Sequence, residues 1–406
     1  MRPLRDAQRD VLAGVRRTDP VETDLSDALG LVLAVDVVAP QDVPPFANSA
    51  MDGFAVQGSD VADGPVELEI LEDVAAGHVA QGAVRPGTAI RIMTGAPLPD
   101  GADTVVRVED TQASEDRVKI TTAVAPGTAV RHAGGDVAAG TTVFSAGTRL
   151  TPAHLGVLAT LGVVRPEVYR TPSVAVLSTG DEVVPPEATE LAPGTIRDAN
   201  RPLLLALLAE TGVDVADFGI VGDDPDLLRD TLRAAAAQCD VVVTSGGVSM
   251  GDYDLVKQIL TELGSVDLWK VAMQPAKPFA FGAVDGTPLF GLPGNPVSVF
   301  VAFENFLRPA LLAMRGEERI FRPVSEATWG ESVSTDPAKT VFLRVVRSDG
   351  VARLAGGQES NVLSATAHAD GLAIVDVGID SMESGERVPV LEIRHPASRT
   401  AAEVLA

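Results

Sequence analysis

The chain reads as a multidomain α/β plus β protein: a central α/β domain with a mostly parallel sheet, an inserted β-rich domain, and a small C-terminal β-barrel domain. Three features predict this. From Thr171 to about residue 318, apolar β-branched runs alternate with helical runs, the pattern of strands joined by crossover helices. Between Pro40 and Gly140 short alternating runs, such as residues 66–70 and 104–108, are cut by glycine and proline, a β texture. From Phe321 onward short strands return at residues 340–346, 372–377 and 387–393, enough for a small barrel or sandwich.

Taken in order, residues 6–17 have helical spacing, residues 24–30 a helical turn, and residues 31–38 read as a strand. Thr151 and Pro152 form an N-cap and first-turn pair for a helix to about Leu161. The flanks of the β region look like parts of one unit. The expected domains are therefore a discontinuous first domain (1–41 with 139–170), the insertion (42–138), the α/β domain (171–318) and the C-terminal barrel (319–406). Within the α/β domain, strand 173–177 leads to helix 200–212, then strand 213–220. Asp224 and Pro225 cap a helix to Gln238. Strand 240–244, helix 254–263 and strand 266–273 come next. A hairpin over 279–292 turns at Asp285 and Gly286, and a helix runs from Pro296 to Met314.

Composition narrows the function. The net charge of −24 argues against general nucleic-acid binding, which needs a basic face, though not against a small anion met by local cations and amides. With 46 % apolar residues and no apolar run near ~18 residues, the chain reads as globular and non-membrane. Its single cysteine, Cys239, excludes a disulfide framework and fits a reducing, cytoplasmic setting. Five scattered histidines do not suggest a Cys/His zinc site.

The candidate chemistry gathers at strand ends. Strand 240–244 stops at Ser245, Gly246 and Gly247, and a helical pattern opens at Asp254; strand, glycine turn and helix is a geometry that presents amides to an anion. Asp252 and Asp254 would set carboxylates beside that anion, with Mg2+ between them. A second strand ends in Ser178, Thr179, Gly180, Asp181 and Glu182, and two such ends in one sheet suggest a crevice at the carboxyl edge. Lys270 and Lys277 can neutralise phosphate or another oxyanion. Pro293, Gly294, Asn295 and Pro296 make a stiff loop onto a helix N-terminus, better explained as a pocket wall than as a corner. Asp52 beside Gly53, and Thr94 beside Gly95, are further ligand-facing candidates in the β region. No Ser–His–Asp pairing, Walker loop or dinucleotide fingerprint occurs, so the set suits positioning of anionic groups around Mg2+ rather than covalent catalysis.

The ordered motifs PPFANSAMDGFAV, RIMTGAPLP, STGDE, TSGGVSMGDYD, PAKPFAFG and GLPGNPVS resemble the molybdopterin molybdenumtransferase family, which includes MoeA and the C-terminal part of gephyrin. The resemblance implies a homodimer of four-domain subunits that inserts molybdate into adenylylated molybdopterin, releasing AMP with Mg2+. Motif match carries functional positions onto Asp52, Thr94, Asp136, Glu182, Asp223, Asp254, Lys270, Lys277, Pro293, Pro296, Arg344 and Ser360. It implies that Glu182, Asp223 and Asp254 hold Mg2+ and the pyrophosphate end. Ser178, Thr179, Gly180, Thr244, Ser245, Gly246, Gly247, Ser249, Gly294 and Asn295 would line the substrate. Lys270, Lys277 and Arg344 would meet molybdate or pterin phosphate, and the dimer would bring Asp52, Thr94 and Asp136 across from the other subunit. A transient contact with the adenylyltransferase that makes the substrate is also implied. Two positions depart from the pattern: Gln274 where many members carry lysine, and Ala276 where glycine is usual. Two alternatives are that adenylyltransferase activity itself, disfavoured by the extra β regions, and a non-catalytic binding or scaffold paralogue.

Overall fold

A computed structural model of the chain describes residues 1–75, 77–247, 259 and 262–394. It forms two compact units, one of residues 1–21, 30–32 and 168 onward, the other of 22–29 and 33–167.

The smaller unit is built on a six-stranded sheet ordered Thr104–Arg107, Gly53–Val56, Thr88–Ile92, Val66–Val74, Arg117–Ile120 and Thr111–Ala113. Alternation sets its two faces: Phe54 and Val56 enter one apolar cluster, whereas Ala55 between them enters another. Helix Pro152–Thr160 starts as its sequence predicts, with Thr151 at the N-cap and its amide donating to His154 Nδ1 at 3.0 Å. The expected strand over 31–38 shrinks to Val37–Val38, paired with Thr142–Phe144. The buried Leu33 and its neighbour Ala34 bond single residues instead: Leu33 N–H meets the Thr148 carbonyl and Ala34 N–H that of Glu167.

The larger unit holds the α/β core. Its six-stranded sheet is ordered Asp214–Val221, Ser173–Thr179, Val241–Ser245, Thr287–Leu292, Pro278–Val284 and Val266–Lys270. The first four strands run parallel, and Pro278–Val284 alone is reversed, antiparallel to both its neighbours, so the sheet is mostly parallel as expected. The cause of the reversal is local. The chain reverses through a tight turn with Asp285 at φ 47° and Gly286 at φ 90°, which can only join antiparallel partners. The central strand Val241–Ser245 is buried along its whole length, as an uninterrupted β-branched run requires when both faces are covered. Helices Asn200–Thr211 and Pro225–Gln238 cover it, the first ended by Gly212 in the left-handed region and the second capped by Asp224, which accepts from Asp226 and Leu227 amides. The expected helix over 254–263 falls largely outside the described residues.

The helical stretch Pro296–Met314 is long and apolar enough to cross a membrane, yet most of it is buried as the core of this unit. A π turn at Phe303–Leu307 interrupts it. Helix Leu4–Ala13 contributes Ala7 and Val11 to the same core, so residues 1–21 fall with the α/β sheet at this level of division. The expected strand 266–273 leaves the sheet at Lys270, because Met273–Gln274 pairs instead with Thr340 and Val341. Beyond it, five strands close a barrel: Thr340–Ser348, Val351–Leu354, Val324–Trp329, Arg387–Glu392 and Gly371–Val375, the last returning to the first. Trp329, Val345 and Ala373 lie in its core.

Candidate functional site

Register fixes the site. Ser178 stands opposite Ser245, and Ser245 opposite Leu292, so three parallel strands end at one level. Each of these strands runs into a glycine-containing turn, and the turns bound a cavity of about 680 Å³. Glu182, Gly246, Gly247 and Pro293 face it from the sheet side. Lys277 and Ser360 complete the wall. A smaller cavity of about 180 Å³ adjoins it through Glu182, Gly246 and Gly294, and reaches Ser178, Thr179, Ser245 and Pro296. Both lie at the carboxyl edge of the parallel strands, where open α/β sheets hold their ligands.

Two glycines are there for space. A Cβ on Gly180 would stand 2.3 Å from Glu182 Oε2, so glycine lets that carboxylate fold over the turn. Gly246, at φ 90°, has the Thr179 carbonyl 2.9 Å from where its Cβ would be. The Gly246 amide itself donates to the Leu292 carbonyl at 3.1 Å. It therefore lines the cavity without being free to cradle a phosphate, a point that sequence could not reveal. Thr244 is wholly buried within its strand and does not reach the cavity.

The loop after strand Thr287–Leu292 is clamped from both sides. Asn200 Nδ2 donates to the Gly294 carbonyl at 2.7 Å, and Asn295 Nδ2 donates to Ser360 Oγ at 2.9 Å. The second bond brings together two residues that only motif matching had linked. Arg344 lies elsewhere than expected. It is buried, and its Nη2 donates to the carbonyls of Gly357 (2.9 Å) and Glu359 (3.2 Å), so it braces the loop that carries Ser360 from behind the wall. Burial pulls its guanidinium pKa down, with Glu359 opposing. Lys270 is exposed at its strand end, outside the cavity wall. Asp223 is exposed too; its amide donates to Asp181 Oδ1 at 2.9 Å, and Gly180 likewise stays outside the lining. Asp254 and Ser249 lie outside the described residues.

Sequence reasoning missed residues that the barrel delivers. Lys339 and Gln358 line the cavity because Met273 and Gln274 pair with Thr340 and Val341. Asp198, in the smaller cavity, was missed as well; it is buried and accepts from the Arg201 amide (3.0 Å) and Nε (3.2 Å). The Lys339 ammonium donates to Asp336 Oδ2 at 2.6 Å and to Gln274 Oε1 at 3.3 Å. The hydrogen bond from Lys339 holds the Asp336 carboxyl below its ordinary range, with the Ala338 amide and the charge of Lys277 acting in the same direction. Ala276 takes φ 70°, the conformation that explains glycine as the usual residue there.

Three candidates belong to the other unit. Asp52 Oδ1 accepts from both the amide and the hydroxyl of Thr94, each at 2.7 Å, and these two bonds lower the Asp52 pKa. Asp136 is exposed, with its amide on the Val43 carbonyl at 2.9 Å. Among the described residues no three His, Cys, Asp or Glu side chains group closely enough to hold a metal. Of the expected metal set, Glu182 lines the cavity wall and Asp223 does not, among the described residues.

Comparison with known proteins agrees with this architecture. Residues 2–162 match the MoeA N-terminal region, 175–313 a probable molybdopterin binding domain, and 326–393 the MoeA C-terminal region. Molybdopterin molybdenumtransferase 2 of Mycobacterium tuberculosis is 38 % identical over 97 % of this chain and 100 % of its own length. Molybdopterin molybdenumtransferase of Nostoc sp. is 37 % identical over 91 % of this chain and 88 % of its own. A crystal structure of the molybdopterin biosynthesis moeA protein from Pyrococcus horikoshii OT3 superposes with a TM-score of 0.83 at 28 % identity, covering 97 % of this chain and 100 % of that one.

Proposed function

The chain belongs to the molybdopterin molybdenumtransferase (MoeA) family of molybdenum cofactor biosynthesis, and from that premise we propose that it inserts molybdate into adenylylated molybdopterin with Mg2+-dependent release of AMP. The observation that carries this is the carboxyl-edge cavity. In a chain of net charge −24, it sets Lys277, Lys339 and the Ser360 hydroxyl together in one wall. A dianionic oxyanion needs local cations to enter so acidic a protein, and lysines supply them as point charges. In the reaction water cleaves the phosphoanhydride bond of the adenylylated pterin and AMP leaves. The two dithiolene sulfurs bond the metal of the oxyanion as one of its oxo groups departs as water with the two thiol protons, the metal's oxidation state unchanged. Glu182 on the wall offers a hard oxygen donor, the type Mg2+ selects, and Asp254 and Asp223 are the further donors of this reading. Bound there, Mg2+ would draw charge from the phosphate oxygens and ease departure of AMP.

The same reading takes the chain as a cytoplasmic homodimer in which Asp52, Thr94 and Asp136 serve the partner's cavity, with transient contact to the adenylyltransferase. It keeps the four-part division 1–41 with 139–170, 42–138, 171–318 and 319–406 as finer domains, the first of which has residues in both compact units. AMP release from adenylylated molybdopterin, measured with and without molybdate and Mg2+, tests the activity. Release that requires both supports it. ATP consumption would indicate an adenylyltransferase, and tight binding without release a scaffold.

A further inference from the structure

Gln274 and Lys339 come from segments far apart in sequence that the backbone locks side by side. Met273 stands opposite Thr340 and Gln274 opposite Val341 in a short parallel ladder, and the Thr340 amide donates to the Ala272 carbonyl at 3.0 Å. Both side chains line the large cavity together with Lys277. Lysine has a long flexible stem, and holding its ammonium in one place has an entropic cost unless acceptors fix it. Here two do: Asp336 Oδ2 at 2.6 Å and Gln274 Oε1 at 3.3 Å. The Lys339 side chain is only 18 % exposed. An ammonium has three N–H donors, so one remains for a ligand in the cavity.

We propose that Gln274 is a positioning residue: its neutral amide holds the Lys339 ammonium at the cavity wall, so that Lys339 provides the cation that position 274 does not carry. A neutral acceptor suits this role. A lysine at 274 would place a second ammonium against the first, and like charges at that range repel. The inference rests on the oxyanion reading of the cavity, and it makes residues 274 and 339 a coupled pair whose charge can be exchanged between them.

The test is equilibrium dialysis of molybdate against the full chain, paired with the KM for molybdate in AMP release. Lys339→Ala is expected to weaken molybdate binding roughly 10- to 100-fold, as loss of a charge-assisted bond does. Gln274→Ala should weaken it less, about threefold to tenfold, because the ammonium remains but wanders. Gln274→Lys alone should also weaken binding, whereas Gln274→Lys with Lys339→Gln should return it to within about threefold of wild type, the recovery that two coupled sites show. Unchanged binding in both alanine variants, or no recovery in the exchanged pair, overturns the proposal. Because dialysis needs no turnover, a wild-type chain that binds molybdate but releases no AMP would sink the transferase reading and leave this one standing.

Discussion

The two edges of the α/β sheet are made from the same strands and built in opposite ways. At the amino edge, the Asp240 carboxylate is saturated. It accepts from both terminal nitrogens of Arg170 (2.7 and 2.8 Å), from the Ser173 amide (2.7 Å) and from the Ser173 hydroxyl (2.9 Å). At the carboxyl edge, Ser178 Oγ borders the smaller cavity and is buried with no partner among the described residues, and Lys277 stands exposed on the wall of the larger one. A buried polar atom without a bond costs stability. Saturation marks the edge that holds the fold, and its lack marks the edge kept ready for a ligand.

That contrast can be broken by experiment. The largest expected effect is at the carboxyl edge: Lys277→Ala should lower kcat/KM in molybdate-dependent AMP release about 100-fold, the scale of a lost charged contact, with unfolding by denaturant unchanged. Next comes the amino edge. Asp240→Ala should destabilise the fold by about 1–2 kcal/mol, since it removes the acceptor of a partly exposed Arg170 and of two Ser173 donors, while leaving activity per folded molecule intact. Acid sharpens the point. The Arg170 hydrogen bonds lead in lowering the Asp240 pKa from 3.8 to about 2, against the opposing effect of burial. A depressed carboxyl pKa contributes stability that is complete above 3.8 and disappears as pH falls toward 2. The stability gap between wild type and Asp240→Asn should therefore narrow across that window, as followed by denaturant titration at each pH. The smallest effect is Ala276→Gly, which relieves φ 70° and should stabilise the chain by about 1 kcal/mol in the same titration.

Local chemistry was legible in the sequence wherever one stretch decides its own shape. Asp224 with Pro225, Asp285 with Gly286, and the run at 241–245 each formed the cap, turn and buried strand their residues require. The strand ends at Ser178 and Ser245 likewise met at one level. What sequence hid depends on partners distant in the chain. Lys339 enters the site only because Met273 and Gln274 abandon the sheet for the barrel. Arg344 reads as a ligand cation until its burial shows it holding Gly357 and Glu359. Gly246 looks like a phosphate amide until Leu292 is found to occupy it. In each case the residue type was right for binding, and a neighbour outside its own stretch redirected it.

The most direct measurement sets the two edges against each other: molybdate-dependent AMP release by Lys277→Ala and by Asp240→Ala, each normalised to its folded fraction. The cavity account predicts near-complete loss in the first variant and wild-type turnover in the second. Equal losses in both, or a loss confined to Asp240→Ala, would contradict it.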